Sequence, residues 1–136
     1  FSSLSAYAGK VIFITAFQML CPACVSHGLP QAKQVYASFR REDVVVLGLH
    51  TVFEHHAAMQ KVSLEAFLYE NRITFPVGID QPDPEHAIPL TMHRYAMRGT
   101  PTTILIDKHG YLRKQLFGHE EDLILGAEIA SLVAEA

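Results

Sequence analysis

Cys21 and Cys24, the two cysteines of the chain, stand in one short stretch, FQMLCPACVSHG, with Pro22 and Ala23 between them. A pair this close encloses too small a loop to stabilise a fold by restricting the unfolded chain, because the entropy removed grows with loop length. The spacing suits sulfur exchange instead, in which one thiolate attacks a disulfide and a second thiol, one helical turn on, resolves the mixed disulfide. The attacking sulfur needs surroundings that favour an anion. The unpaired N–H groups and dipole of a helix N-terminus provide them and lower cysteine pKa values to roughly 3.5 to 7.5. Cys21 is therefore expected to attack and Cys24 to resolve. Two blander readings compete. One is half of a zinc site, whose other ligands would be histidines that here lack finger spacing; the other is a pair of inert buried thiols.

The elements around the pair decide between these readings. Val11 to Phe17, VIFITAF, is a β-branched and aromatic run typical of a fully buried strand, and it stops just before the cysteines. From Pro22 to Arg41, Val25, Leu29, Ala32, Val35, Tyr36 and Phe39 recur at helical steps, with Pro22 fit for the first turn and Gly28 and Pro30 expected to weaken or kink the helix. Val44 to Leu49, VVVLGL, lacks alternation and reads as a central parallel strand, completing a βαβ unit.

Further on, Glu54 to Asn71 reads as a helix with Ala58, Met59, Val62, Phe67 and Leu68 facing inward, and Phe75 to Ile79 as a short strand. Asp80 to Pro89, with its prolines, reads as a surface loop leading to a short helix near Thr91 to Met97. After Gly99, Thr100 and Pro101, the runs TTILID and YLRKQLFG read as a hairpin turning at Lys108, His109 and Gly110. Glu120 to Glu135 reads as an amphipathic helix, with Leu123, Ile124 and Ala127 in its core stripe alongside Ile129, Leu132 and Val133. No repeat or linker divides the chain, so residues 1–136 are expected to form one domain.

Composition narrows the classes. The 136 residues are 49% hydrophobic, enough for a real core without disulfide scaffolding. A formal charge of -3 and scattered basic residues give no footprint for nucleic acid. The apolar runs are far shorter than the ~20 residues of a membrane helix, so no membrane span is expected. The N-terminal FSSLSAYAGK lacks the basic start and apolar core of a signal peptide. Two close cysteines fit an oxidising or a reducing compartment, the cytoplasm included.

CPAC after AFQML, GTPTTILID at Gly99 to Asp107, and a terminal hairpin and helix together resemble the thioredoxin-like superfamily over nearly the whole chain. The resemblance is greatest to its TlpA-like thiol-disulfide oxidoreductases, which overlap the AhpC/TSA redoxins. It implies an α/β fold with a central mixed sheet flanked by helices, and a helix-strand insertion, here Glu54 to Ile79, before a cis-proline at Pro101. It also implies catalytic Cys21 and Cys24, substrate contacts at Thr100, Pro101, Pro22 and Ala23, and no cofactor. The partners it implies are a disulfide-containing protein or small thiol and a separate electron donor or acceptor; the setting it implies is the bacterial periplasm. Exchange could run in either direction.

Several residues depart from the family pattern. Leu20 stands where such proteins often have Trp, which makes the substrate-facing surface more aliphatic. Thr15 and His27 occupy the positions where relatives bury a carboxylate beside the second cysteine. His27, three residues after Cys24 and nearly on its helix face, is a candidate proton acceptor, with a packing or capping role as the alternative. An AhpC/TSA-type thiol peroxidase is the rival enzyme, yet Gln18 stands where such sites usually carry Thr or Ser. A copper or zinc carrier using Cys21, Cys24 and His27 or His119 is a third reading. His50, Glu54, His55 and His56 read as a solvated helix start, because neighbouring helical histidines diverge. Asp80, Asp83 and Glu85 read as a loop face.

Overall fold

In the computed structural model, which describes residues 4–136, a five-stranded mixed sheet has the order β3-β2-β1-β4-β5. The first three residues of the N-terminal segment lie outside the described residues. The strands are β1 (Val11–Phe17), β2 (Val44–His50), β3 (Val77–Ile79), β4 (Thr102–Ile106) and β5 (Leu112–Phe117). β1 runs parallel to β2, and β2 to β3, while β4 is antiparallel to both β1 and β5.

The apolar runs of β1 and β2 do not alternate with polar residues because both faces of the sheet are covered. Val11, Phe13 and Phe17 of β1 enter one core cluster with Val44 and Val46. Ile12, Ile14 and Ala16 enter the other, with Leu47, Ile104 and Ile106. The first cluster is completed by α1 (Leu29–Ser38), α2 (Lys61–Glu70) and α4 (Asp122–Ala134), through Leu29, Ala32, Leu64, Leu125 and Ile129. The second is covered by the short α3 (Leu90–Arg94) and the segment after it, through Met92 and Met97.

Several elements differ from the sequence reading. The first helix stops at Ser38, where Phe39 turns extended. The helix expected over Glu54 to Asn71 is only α2, preceded by a 3-10 turn at His56–Ala58. Left-handed His55 breaks the intervening chain at φ 50. Leu64 is the residue α2 buries, and Val62 faces solvent at 71% exposure. In α4, Leu123, Ile124 and Ala127 are exposed, and the buried stripe is Leu125, Ile129 and Leu132. A helix apolar on most of its surface gives its true inward face no distinctive pattern. Among the described residues no helix is long and apolar enough to cross a membrane.

Candidate active site

The strand that ends at Phe17 delivers the chain into a tight turn, closed by Cys21 N–H donating to the Gln18 carbonyl at 3.1 Å. Helical winding starts at Pro22, whose missing N–H costs nothing in a first turn. Val25 N–H donates to the Cys21 carbonyl at 3.1 Å, so Cys21 heads the helix. Its Sγ accepts the N–H of Cys24 at 3.3 Å, as a capping side chain does.

A π-turn at Cys24–Gly28 follows, with Leu29 N–H reaching back to the Cys24 carbonyl. Pro30 explains it. A regular helix would press the proline ring on the carbonyl of Ser26, and the wider turn relieves that clash. The wider winding also separates two residues expected to share a face. Cys24 is fully buried, while His27 is exposed and sets its ring 4.9 Å from that of His119. The candidate proton acceptor thus stands at the surface while the thiol is enclosed.

The sulfurs of Cys21 and Cys24 lie 2.6 Å apart. Cys21 is partly exposed and Cys24 is at 0%. Burial pushes the Cys24 thiol up to about 12, and the adjoining Cys21 adds to the rise. Across from the sulfurs, the Thr100–Pro101 peptide is cis, and Cys21 Sγ donates to the Thr100 carbonyl at 3.6 Å. Gly28 lets the two segments meet: a Cβ there would stand 3.0 Å from that of Pro101. Pro22, Ala23 and Leu20 are exposed around the partly buried Cys21 and Thr100, so the rim of the site is largely apolar.

Two buried polar side chains brace the loop before the cysteines and a third holds α3, and sequence reading did not single them out as a support. Gln18, 1% exposed, accepts the N–H of Phe53 at 3.1 Å. His50 accepts the N–H of Met19 on Nε2 at 3.2 Å, and its own burial depresses its pKa to about 4. It is the last residue of β2 and no part of a solvated helix start, since β2 runs one residue past the expected Leu49. Asp80, expected on a loop face, is buried; it accepts from Thr51 Oγ1 and from the N–H groups of Thr91 and Met92. Its carboxylate holds the N-terminus of α3, a task that a separation of eleven residues hides from any local capping pattern.

A sheet of this order with a C-x-x-C pair at the end of its central strand, opposite a cis-proline, defines the thioredoxin-like fold. The sequence model of the AhpC/TSA family matches residues 2–115, and the chain belongs to that family. Its fold is shared by the thioredoxin-like superfamily protein SPOA0173, at 60% identity and a TM-score of 0.95, covering 98% of this chain and 86% of that one. A thiol-disulfide isomerase from Corynebacterium glutamicum is 43% identical, also with a TM-score of 0.95, over 98% of this chain and 87% of its own. The thiol-disulfide oxidoreductase ResA of Geobacillus kaustophilus is 28% identical over 115 residues, 85% of this chain. The chain spans 59% of the length of that relative.

Proposed function

We propose that the chain is a thiol-disulfide oxidoreductase that works through the CPAC dithiol. The observation that carries the reading is the asymmetry of the two sulfurs, which lie 2.6 Å apart with Cys21 at the surface and Cys24 fully enclosed. Only Cys21 can meet a disulfide on another molecule. Its thiolate attacks one sulfur of that disulfide, forming a mixed disulfide and expelling the other sulfur as a thiolate. Cys24 then attacks Cys21 Sγ and gives up its proton as the substrate sulfur leaves, so the product is a thiol and the enzyme holds a Cys21–Cys24 disulfide. Two electrons have passed to the substrate; the reverse sequence oxidises it.

The substrate is a disulfide-bearing protein segment or small thiol that lies along Thr100 and Pro101 and against Pro22 and Ala23. A proline at this place offers no competing N–H, and the rim around Leu20 suits apolar flanking groups. The relatives named thiol-disulfide oxidoreductase and isomerase support the class of reaction. A separate donor or acceptor must restore the dithiol or disulfide after each cycle. His27 is not assigned the resolving proton, since it is exposed against His119 while Cys24 is enclosed.

The test is capture with the Cys24→Ser variant. It should accumulate a mixed disulfide through Cys21 with a glutathione or peptide disulfide, while Cys21→Ser should accumulate none. Equal capture by both variants would sink the reading. The family match invites peroxide reduction as a rival, but the Gln18 side chain is spent on Phe53 N–H. Saturable, rapid turnover of hydrogen peroxide would favour that rival.

A further inference from the structure

Beyond the sulfur site, one group of three side chains among the described residues gathers metal-ligating atoms within 4.8 Å of one another: Asp83, His86 and His93. We propose that these three form a binding site for a divalent transition-metal ion of the zinc class. The inference does not rest on the redox reading.

The chemistry of the donors selects the ion. Two imidazoles and one carboxylate suit zinc, copper or nickel and are poorly matched to calcium or magnesium, which prefer all-oxygen shells. Asp83 Oδ2 and His86 Nδ1 are joined by a hydrogen bond at 2.8 Å. Tetrahedral bonds of about 2.0–2.2 Å from one ion to an oxygen and a nitrogen hold those atoms roughly 3.4 Å apart. An ion can therefore take the place of the bridging hydrogen once the two residues part slightly. The His93 ring is stacked on His86 at 3.7 Å and 23°. A ring nitrogen of His93, an exposed side chain, lies within 4.8 Å of the Asp83 and His86 ligand atoms. Three protein ligands leave a coordination position for solvent or an exogenous ligand.

The backbone already holds the ligands near one another, which reduces the ordering cost of binding. Glu85 N–H donates to Asp83 Oδ1 at 3.0 Å, leaving Oδ2 to face His86. Leu90 N–H donates to the Gln81 carbonyl at 2.8 Å, closing the loop that carries Asp83 and His86. His93 N–H donates to the Pro89 carbonyl at 2.9 Å within α3, whose start is held by Asp80. An ion here would clip the loop after β3 to α3.

A reduced cysteine pair can itself ligate zinc, so the test removes it. Zn2+ is titrated calorimetrically into the 136-residue chain carrying Cys21→Ser and Cys24→Ser. Uptake of one ion per chain is expected, weakened about tenfold or more by His86→Ala or His93→Ala in that background, as loss of a ligand or its close support does. His27→Ala should leave it unchanged. In the wild-type oxidised protein, Zn2+ should shift the ring resonances of His86 and His93 ahead of those of the other histidines. Absence of stoichiometric uptake, or uptake indifferent to His86→Ala and His93→Ala, would overturn the proposal.

Discussion

The backbone N–H of Met19 donates to Nε2 of His50 across 3.2 Å, joining the loop that leads to Cys21 to the end of the neighbouring parallel strand. Because that ring nitrogen accepts, the neutral imidazole carries its proton on Nδ1. Protonating Nε2 would set two N–H groups against each other inside the protein, at a position only 1% exposed. The loop before the cysteines thus depends on a histidine staying uncharged.

A pH dependence follows. With His50 at about 4 in the folded chain against 6.5 unfolded, the unfolded chain binds the extra proton first as pH falls. The stabilisation is whole above about 6.5 and is lost progressively down to about 4, to an extent of roughly 3 kcal/mol at most. Thermal melts of wild type should therefore drop across that window. His50→Gln, whose amide oxygen can accept the Met19 N–H without titrating, should melt with a flatter profile there. The lowered carboxylates Asp107 and Glu135 lose their contribution from about their ordinary values of 3.8 and 4.5 downwards, so they touch only the foot of this window and act alike in both proteins. Parallel profiles for the two proteins between pH 6.5 and 4 would contradict the assignment.

Gly28 has an ordinary helical φ of -62, so its value lies in the space it leaves, 3.0 Å from its missing Cβ to that of Pro101. Gly28→Ala should push the π-turn off Pro101, costing about 1–3 kcal/mol as overpacking does and slowing disulfide exchange by shifting Cys24 from Cys21. Denaturant midpoints and the rate of reduction of a peptide disulfide measure the two effects. Unchanged exchange with normal stability would show that the close approach is dispensable.

How much of this was legible in the sequence depended on whether the signal was local. VIFITAF predicts β1 residue for residue, and CPAC places the sulfurs at its end, because a buried strand and a helix start are written in consecutive residues. Thr100 and Pro101 became legible only through family resemblance, since the sequence alone does not bring them to Cys21, 79 residues away. Asp80 and His50 were misread as solvated for the opposite reason. Their partners, Thr91 and Met19, are remote in sequence, and a polar residue with remote partners looks like surface until the fold supplies them. His27 lies exposed beside His119 while Cys24 is enclosed, a placement that turns on the change from α to π winding at Cys24–Gly28.

The two cysteines should differ sharply towards alkylating agents. Burial leads the causes that raise Cys24 to about 12, and burial persists when Cys21 is replaced. In the reduced Cys21→Ser variant, Cys24 should react with iodoacetamide at neutral pH roughly tenfold or more slowly than free cysteine, as expected when the thiolate is the nucleophile. In Cys24→Ser, the partly exposed Cys21 should be the faster of the two. Equal rates, followed by mass spectrometry of quenched samples, would remove the basis for assigning attack and resolution to different sulfurs.

Asp80 offers the sharpest test of how the loop after β3 is held. Its carboxylate accepts from Thr51 Oγ1 at 2.9 Å, and from the N–H groups of Thr91 and Met92 at 2.9 and 3.1 Å. Asp80→Ala strips all three donors of their acceptor at a buried place, and each abandoned donor costs about 1–3 kcal/mol unless water enters. A loss of about 3 kcal/mol in chemical denaturation is expected. Asp80→Asn keeps one acceptor oxygen but turns an NH2 towards a donor, so its loss should be smaller and still clear. Hydrogen exchange locates the effect: the amides of Thr91 and Met92 should lose protection, while those of Ile14 and Leu47 in the central strands follow only the global change in stability. Retained protection at Thr91 and Met92 in Asp80→Ala would mean that α3 is held by its apolar contacts through Met92 and Met97, and the carboxylate would then be incidental.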